Sequence, residues 1–155
     1  MIFEYPKPLQ DLLEVFGEID DRDERTEMLI YWSDKYKRAD KSITGPKPYS
    51  DAYKVPSCES EAYVWSKTRS NATLDFHYVV ENPQGLSAKT ISAILSLTVS
   101  GEKLEEISVL ESNDIVKTLF GTYMGIVRTQ GLRGIVKMTR AYAIQSIKKN
   151  DLISK

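Results

Sequence analysis

One side chain in the sequence can act as a soft nucleophile: Cys58, the single cysteine among 155 residues. It sits in Val55-Pro56-Ser57-Cys58-Glu59-Ser60-Glu61, where a proline-bearing polar stretch passes into an alternating run ending near Trp65. A thiol at such a junction is carried by a rigid element and still reaches outward. Free cysteine is also commonly a small buried hydrophobe, and these residues alone leave both readings open. A thiol of ordinary pKa is about one-tenth thiolate at about pH 7.5. Glu59 and Glu61 would lower that fraction if close, whereas a cation such as Arg128 would raise it.

Several other chemistries lack their residues. A structural zinc site takes about four Cys or His ligands, and the chain has one of each, on separate stretches. Iron–sulfur clusters are held mainly by several thiolates, so Cys58 cannot bind one alone. A cysteine hydrolase needs a base oriented toward its thiol; His77 is the only histidine, and nothing in the sequence places it near Cys58. Glu59 and Glu61 share a face of an extended stretch, with nothing else marking them as an acid–base pair. Neither phosphate-binding glycine pattern occurs. What survives is group transfer by one nucleophile, which accepts a group and passes it on.

The elements that would position this thiol follow from periodicity. Pro8 opens a helix carrying Leu9, Leu12, Leu13 and Phe16 to about Glu18. Asp21, with Glu24 three residues on, caps a second helix that carries Met28, Leu29, Trp32 and Tyr36 to about Arg38. Residues 39–57 hold Gly45, Pro46, Pro48 and Pro56 without periodicity, a long loop of the kind that is usually functional or disordered. Tyr49 and Tyr53 are its candidate pins. Strands are expected over 60–69 and 72–80, joined by a tight turn at Ser70-Asn71 with Asn71 at positive φ. One sheet face is apolar through Leu74, Phe76, Tyr78 and Val80; the wetter one carries Asp75 and His77.

A central helix over 86–99, closed by Gly101, has apolar residues all round, including Ile91, Ile94, Leu95 and Leu97. Short helices follow over 103–109 and, capped by Ser112 or Asn113, over 114–120. A long helix runs from about Thr129 to Lys149, with Arg133, Lys137 and Arg140 on one side. The order predicts one α+β domain over 1–155, a small antiparallel sheet with helices packed on one face.

Composition fits such a domain. Hydrophobic residues make up 41% and charged residues 28%, ordinary for a globular chain. A net charge of −1 argues against nucleic-acid binding. No window approaches a membrane span, the N-terminus does not read as a signal peptide, and a reducing cytoplasm is the expected compartment. Charge is nonetheless uneven. From Ile115 onward eight Lys or Arg face the single acid Asp151, whereas the first eighty residues carry 15 acids against 11 bases. Such asymmetry can guide a partner, or mark a solvated helix face.

Four stretches together resemble one family, the SufE sulfur acceptors of iron–sulfur cluster assembly. Val55-Pro56-Ser57-Cys58-Glu59-Ser60-Glu61-Ala62-Tyr63 resembles its V-P-G-C-Q-S-Q-V-W signature. Asp20 to Arg25 with Met28-Leu29-Ile30 is similar to its D-x-R-x-E-R helix. Leu86 to Leu95 resembles the helix after its sheet, with Lys89 at a usually basic position. Arg128-Thr129-Gln130-Gly131-Leu132-Arg133 resembles the run that opens its last helix. Ser57, Glu59, Glu61 and Tyr63 depart from the signature, and Glu59 and Glu61 add negative charge beside the thiol.

The resemblance covers about residues 9–148 and implies a SufE/IscU-like fold with Cys58 on an exposed loop. It implies that Cys58 is a persulfide acceptor fed by a SufS-like cysteine desulfurase, which carries pyridoxal phosphate while this chain binds no cofactor or metal. An iron–sulfur scaffold complex would take the sulfur. Arg128, Ser57, Glu59, Ser60 and Lys89 are the implied supporting or partner-binding residues, in a monomer or weak homodimer. The alternatives are a related sulfur relay to another thiolation pathway, or a desulfurase-binding module with no transfer of its own.

Overall fold

The computed structural model describes residues 4–56, 61–81, 85–121 and 126–153, with 126–128 described by backbone alone. The expected α+β architecture is present: the longer helices gather on one face of a two-stranded antiparallel sheet, and only two short helical pieces lie on the other among the described residues. Helix α1 (Lys7–Gly17) has proline in its first turn, where a missing N–H costs nothing, and buries Leu9, Leu13 and Phe16. Helix α2 (Arg22–Ser33) starts as read, with the Asp21 carboxylate accepting from the Glu24 N–H at 2.8 Å.

The end of α2 differs from the pattern-based reading to about Arg38. The helix stops at Ser33, and the chain turns toward the edge of the second strand. There the Tyr36 hydroxyl accepts from the Val80 N–H at 2.8 Å and the Ala39 N–H donates to the Tyr78 carbonyl at 3.0 Å. Strand-edge groups need partners, and supplying them outweighs one more helical turn.

The segment read as an unstructured loop holds two short pieces. They are α3 (Lys41–Thr44), capped by Asp40, and a 3-10 turn at Asp51–Tyr53, capped by Ser50. Strands β1 (Ala62–Thr68) and β2 (Leu74–Val80) pair from Ala62↔Val80 to Thr68↔Leu74. The turn between them also corrects the reading. Positive φ falls on Ala72 (φ 68°), not on Asn71, whose side-chain oxygen accepts from the Thr73 N–H instead.

Helices α4 (Leu86–Val99), α5 (Leu104–Ile107), α6 (Ser112–Phe120) and α7 (Ile126–Ile153) complete the described elements. The α6 cap is Glu111 rather than Ser112 or Asn113, and α7 extends beyond the expected span at both ends. Leu97, read as part of an all-round apolar helix, is 59% exposed, whereas Ile91, Ile94 and Leu95 are buried.

The inner sheet face, with Val64, Phe76 and Tyr78, packs with Ile91, Leu95, Leu132, Ile135 and Val136 into the main core. Two hydrogen bonds fix α7 to the sheet: Tyr78 with Thr139 at 2.8 Å, and the Tyr142 hydroxyl to the Val64 carbonyl at 2.6 Å. The outer face is only half as wet as alternation suggested. Tyr63, Trp65 and Val79 are buried there beneath Ala39, Ile43 and Tyr49. Both predicted pins are in place: Tyr49 meets Tyr63 and Trp65 edge-on, and Tyr53 stacks on Trp65, with ring centres 5.0–5.2 Å apart. The proline-rich segment is thus a cover for the sheet.

Candidate functional site

Cys58 lies outside the described residues, as do Ser57, Glu59 and Ser60, but the chain on either side of them is well placed. Val55 is 2% exposed, and its N–H donates to the Ala62 carbonyl at 2.8 Å. Lys54 forms a bridge to Tyr63 one step further out. The two ends of the cysteine-bearing segment are therefore tied together at the start of β1. Beneath them passes α7. A methyl group added to Gly134 would lie 2.7 Å from Val55 Cγ1 and 3.5 Å from the Pro56 carbonyl oxygen. Only glycine lets the helix come so close.

Two cavities flank this base. The first, of about 350 Å³, is lined by Pro56 and by Gln130, Arg133, Gly134 and Lys137 of α7. Gln130, Arg133 and Lys137 recur at helical spacing and form one stripe. The Arg133 guanidinium donates to Thr129 Oγ1 at 2.9 Å. The second, of about 400 Å³, is lined by Lys47, Pro48, Tyr49, Glu61, Tyr63 and Glu81.

The second cavity is internally paired. Glu81 accepts from Arg38 at 2.5 Å and from Lys47 at 2.8 Å, and Arg38 also donates to the Tyr49 hydroxyl at 2.9 Å. Burial pushes the Glu81 carboxyl up, yet those two cations outweigh it and hold the group below the usual carboxylate range. The Tyr63 hydroxyl donates to Glu61. That bond, with burial second, pushes the tyrosine up to about 12. Glu61, a departure from the family signature, is thereby engaged by the tyrosine that is another such departure.

The remaining candidates separate. The Arg128 side chain is outside the description; its backbone belongs to the first turn of α7. Lys89 is half-buried on α4 with its ammonium 5.8 Å from the centre of the Tyr36 ring, and it lines neither cavity. His77 pairs with Trp65 across the sheet, and burial pushes its imidazole below the usual value. Among the described residues no cluster of three or more His, Cys, Asp or Glu could hold a metal. No described helix is long and apolar enough to cross a membrane.

Gly134 escaped the sequence reading, although two helical glycines three apart, Gly131 and Gly134, signal a close approach. Arg25 entered the sequence reading only as the last residue of the D-x-R-x-E-R run, with no role of its own. Its guanidinium donates to the carbonyls of Phe16, Ile19, Thr118 and Leu119 at 2.6–3.0 Å, closing the C-terminal ends of α1 and α6. The run marks the arginine, but no spacing rule says that its guanidinium reaches carbonyls of two other helices.

A family model for SufE, described as an Fe-S metabolism associated domain, matches residues 10–143. The chain belongs to the SufE family. Membership associates this SufE domain with iron–sulfur metabolism, and the matched span contains Cys58, Lys89, Arg128 and the whole of the first cavity. No curated protein matches the chain. Among solved structures, the solution structure of a hypothetical protein from Thermus thermophilus is similar, with a TM-score of 0.69 over 93% of this chain and 98% of that one. At 17% identity this is a likeness of fold. The SufE match spans the single cysteine, and the described residues on either side of 57–60 are tied together at the start of β1.

Proposed function

We propose that this SufE chain is a sulfur carrier: Cys58 takes sulfur from a cysteine desulfurase, stimulates that enzyme's turnover and passes the sulfur to iron–sulfur cluster assembly. The observation that carries the reading is a SufE match spanning a chain with a single thiol. The Cys58 thiolate attacks the outer sulfur of the donor's cysteine persulfide. A new S–S bond forms to Cys58, the old one breaks, and the donor cysteine leaves as its thiolate. The products are a Cys58 persulfide and a regenerated desulfurase, with no net oxidation. Thiol–disulfide exchange follows the same rules, being favoured by thiolate character and access.

The chain's own residues contribute position. Cys58 is two residues beyond Pro56, so connectivity keeps its Cα within about 7 Å of the proline's. Pro56 is held over α7 by the Val55–Gly134 approach and by the Val55–Ala62 bond. A base of this kind lets the thiol be offered to one partner and then another without reorganising the core. Pyridoxal phosphate belongs to the donor enzyme and supplies the carbon–sulfur cleavage there; this chain needs no cofactor for its step.

The test is sulfide production by the cognate desulfurase, with cysteine and reductant, in the presence of wild type or Cys58→Ser. Stimulation is expected to disappear with the serine variant, and undiminished stimulation would refute the carrier.

A further inference from the structure

The cleft between Pro56 and α7 differs in character from its neighbour across β1. In the cavity lined by Lys47, Glu61 and Glu81 the carboxylates are engaged, Glu81 by Lys47 and by Arg38 and Glu61 by the Tyr63 hydroxyl. The cleft has two cations, Arg133 and Lys137, one neutral amide, Gln130, and no carboxylate among the described residues that line it. Neither cation forms an ion pair with a described residue. They stand four apart on one helix face, where like charges repel, a standing cost that no described partner offsets. From Thr129 to Asn150 the helix carries five Lys or Arg and no acid. Arg140, the next cation along, reaches the Leu110 carbonyl at 3.4 Å and lines no part of the cleft. Arg133 is steered by its bond to Thr129. Gly134, with no side chain, leaves the floor open while Pro56 forms the wall.

We propose that this cleft is a docking pocket for a carboxylate side chain of the persulfide donor, gripped between Arg133 and Lys137. The inference rests on the carrier reading above, because a donor that delivers sulfur to a thiol two residues from Pro56 comes within reach of the cleft that Pro56 walls. Charge complementarity selects the occupant: a cleft of about 350 Å³ beside Pro56, with two cations and no carboxylate among its described lining residues, fits an Asp or Glu projecting from the donor's surface. The contact sets affinity and register, and the chemistry stays with Cys58.

The experiment titrates the cognate desulfurase with wild type, Lys137→Glu, Arg133→Gln with Lys137→Glu, and Lys137→Arg. It reads the concentration for half-maximal stimulation, the plateau rate and their dependence on added NaCl. The double variant is expected to need at least a ten-fold higher concentration, with the plateau kept and the salt dependence flattened. Lys137→Glu alone, at an exposed position, shifts in the same direction, and Lys137→Arg behaves as wild type. An unchanged half-maximal concentration in both glutamate variants overturns the pocket. So does a lowered plateau accompanied by slower alkylation of Cys58 by iodoacetamide in the free protein, which assigns the cations to the thiol. Cys58→Ser in the same titration separates the two ideas: if it still stimulates, the carrier reading fails, whatever the cleft does.

Discussion

Gly134 on α7 and Val55 at the foot of the cysteine segment approach so closely that a Cβ on the glycine would lie 2.7 Å from Val55 Cγ1. Val55 is buried and its branched side chain is short, so it has little room to yield. Gly134→Ala gains about 1 kcal/mol of helix propensity and meets an overpacking cost of roughly 1–3 kcal/mol. A net loss of about 1 kcal/mol in urea unfolding is expected. Desulfurase stimulation should fall with it, because the displaced residues carry the cysteine segment. Combining it with Val55→Ala relieves the contact, so the double variant should lose about 1 kcal/mol less than the sum of the singles.

Arg25 makes the second prediction. Four carbonyls at the ends of α1 and α6 depend on one guanidinium, and charged hydrogen bonds of this kind contribute about 1.5–3 kcal/mol each before coupling. Arg25→Ala should cost about 3 kcal/mol or more in equilibrium unfolding. Arg25→Lys should recover only a minor part, since a compact ammonium cannot span four acceptors as the planar fork does. Full recovery by lysine would show that charge alone suffices.

Ala72 occupies the left-handed region at the hairpin turn, which costs a non-glycine residue roughly 1–2 kcal/mol. Ala72→Gly relieves the strain and gives back some of that gain as entropy of the unfolded chain. A gain of about 0.5–1 kcal/mol is expected, read as a higher melting temperature with activity unchanged. Asn71→Ala should destabilise, through loss of the bond to the Thr73 N–H.

Glu81 gives a dependence on pH. Arg38 and Lys47 hold its folded-state carboxyl below the usual range, against the opposing effect of burial. The contribution is therefore present above the unfolded pKa and is lost as pH falls through the lower, folded value. Glu81→Gln should flatten the acid limb of a stability–pH profile below about pH 4.5. Wild type and variant should converge at the acid end, and parallel profiles would remove Glu81 from the account.

Mass spectrometry addresses the carrier directly. Incubated with desulfurase and cysteine, the intact chain should gain the mass of one sulfur, reversed by reductant and missing in Cys58→Ser. Peptide mapping should place the added sulfur on Cys58, the one thiol available.

Much of the fold was legible because short-range rules govern it. The Asp21 cap, the limits of α4 and the alternation along β2 depend on residues within a turn or two of each other. The readings that failed concern competition from distant residues. Tyr36 leaves a helical pattern because Val80, 44 positions away, needs an acceptor for its N–H. Residues 39–53 read as loop because their order comes from Tyr63, Trp65 and Val79, which periodicity shows as a strand and not as a surface to be covered. The cationic side of α7 is solvated at Lys137 and Arg140, as its spacing suggested, but no spacing rule shows that Pro56 stands beside it.

By itself the sequence determined the chemistry within reach: one cysteine, one histidine and no phosphate loop leave a single nucleophile, and the motif order points to SufE. Tertiary structure decided what surrounds that nucleophile's segment. It set a glycine of the last helix under Val55, engaged Glu61 with Tyr63, and left Arg133 and Lys137 facing an open cleft beside Pro56. The reason is physical. A side chain's type and its helical or strand period are local properties, whereas distances between residues 55 and 134 arise only when the core between them has packed.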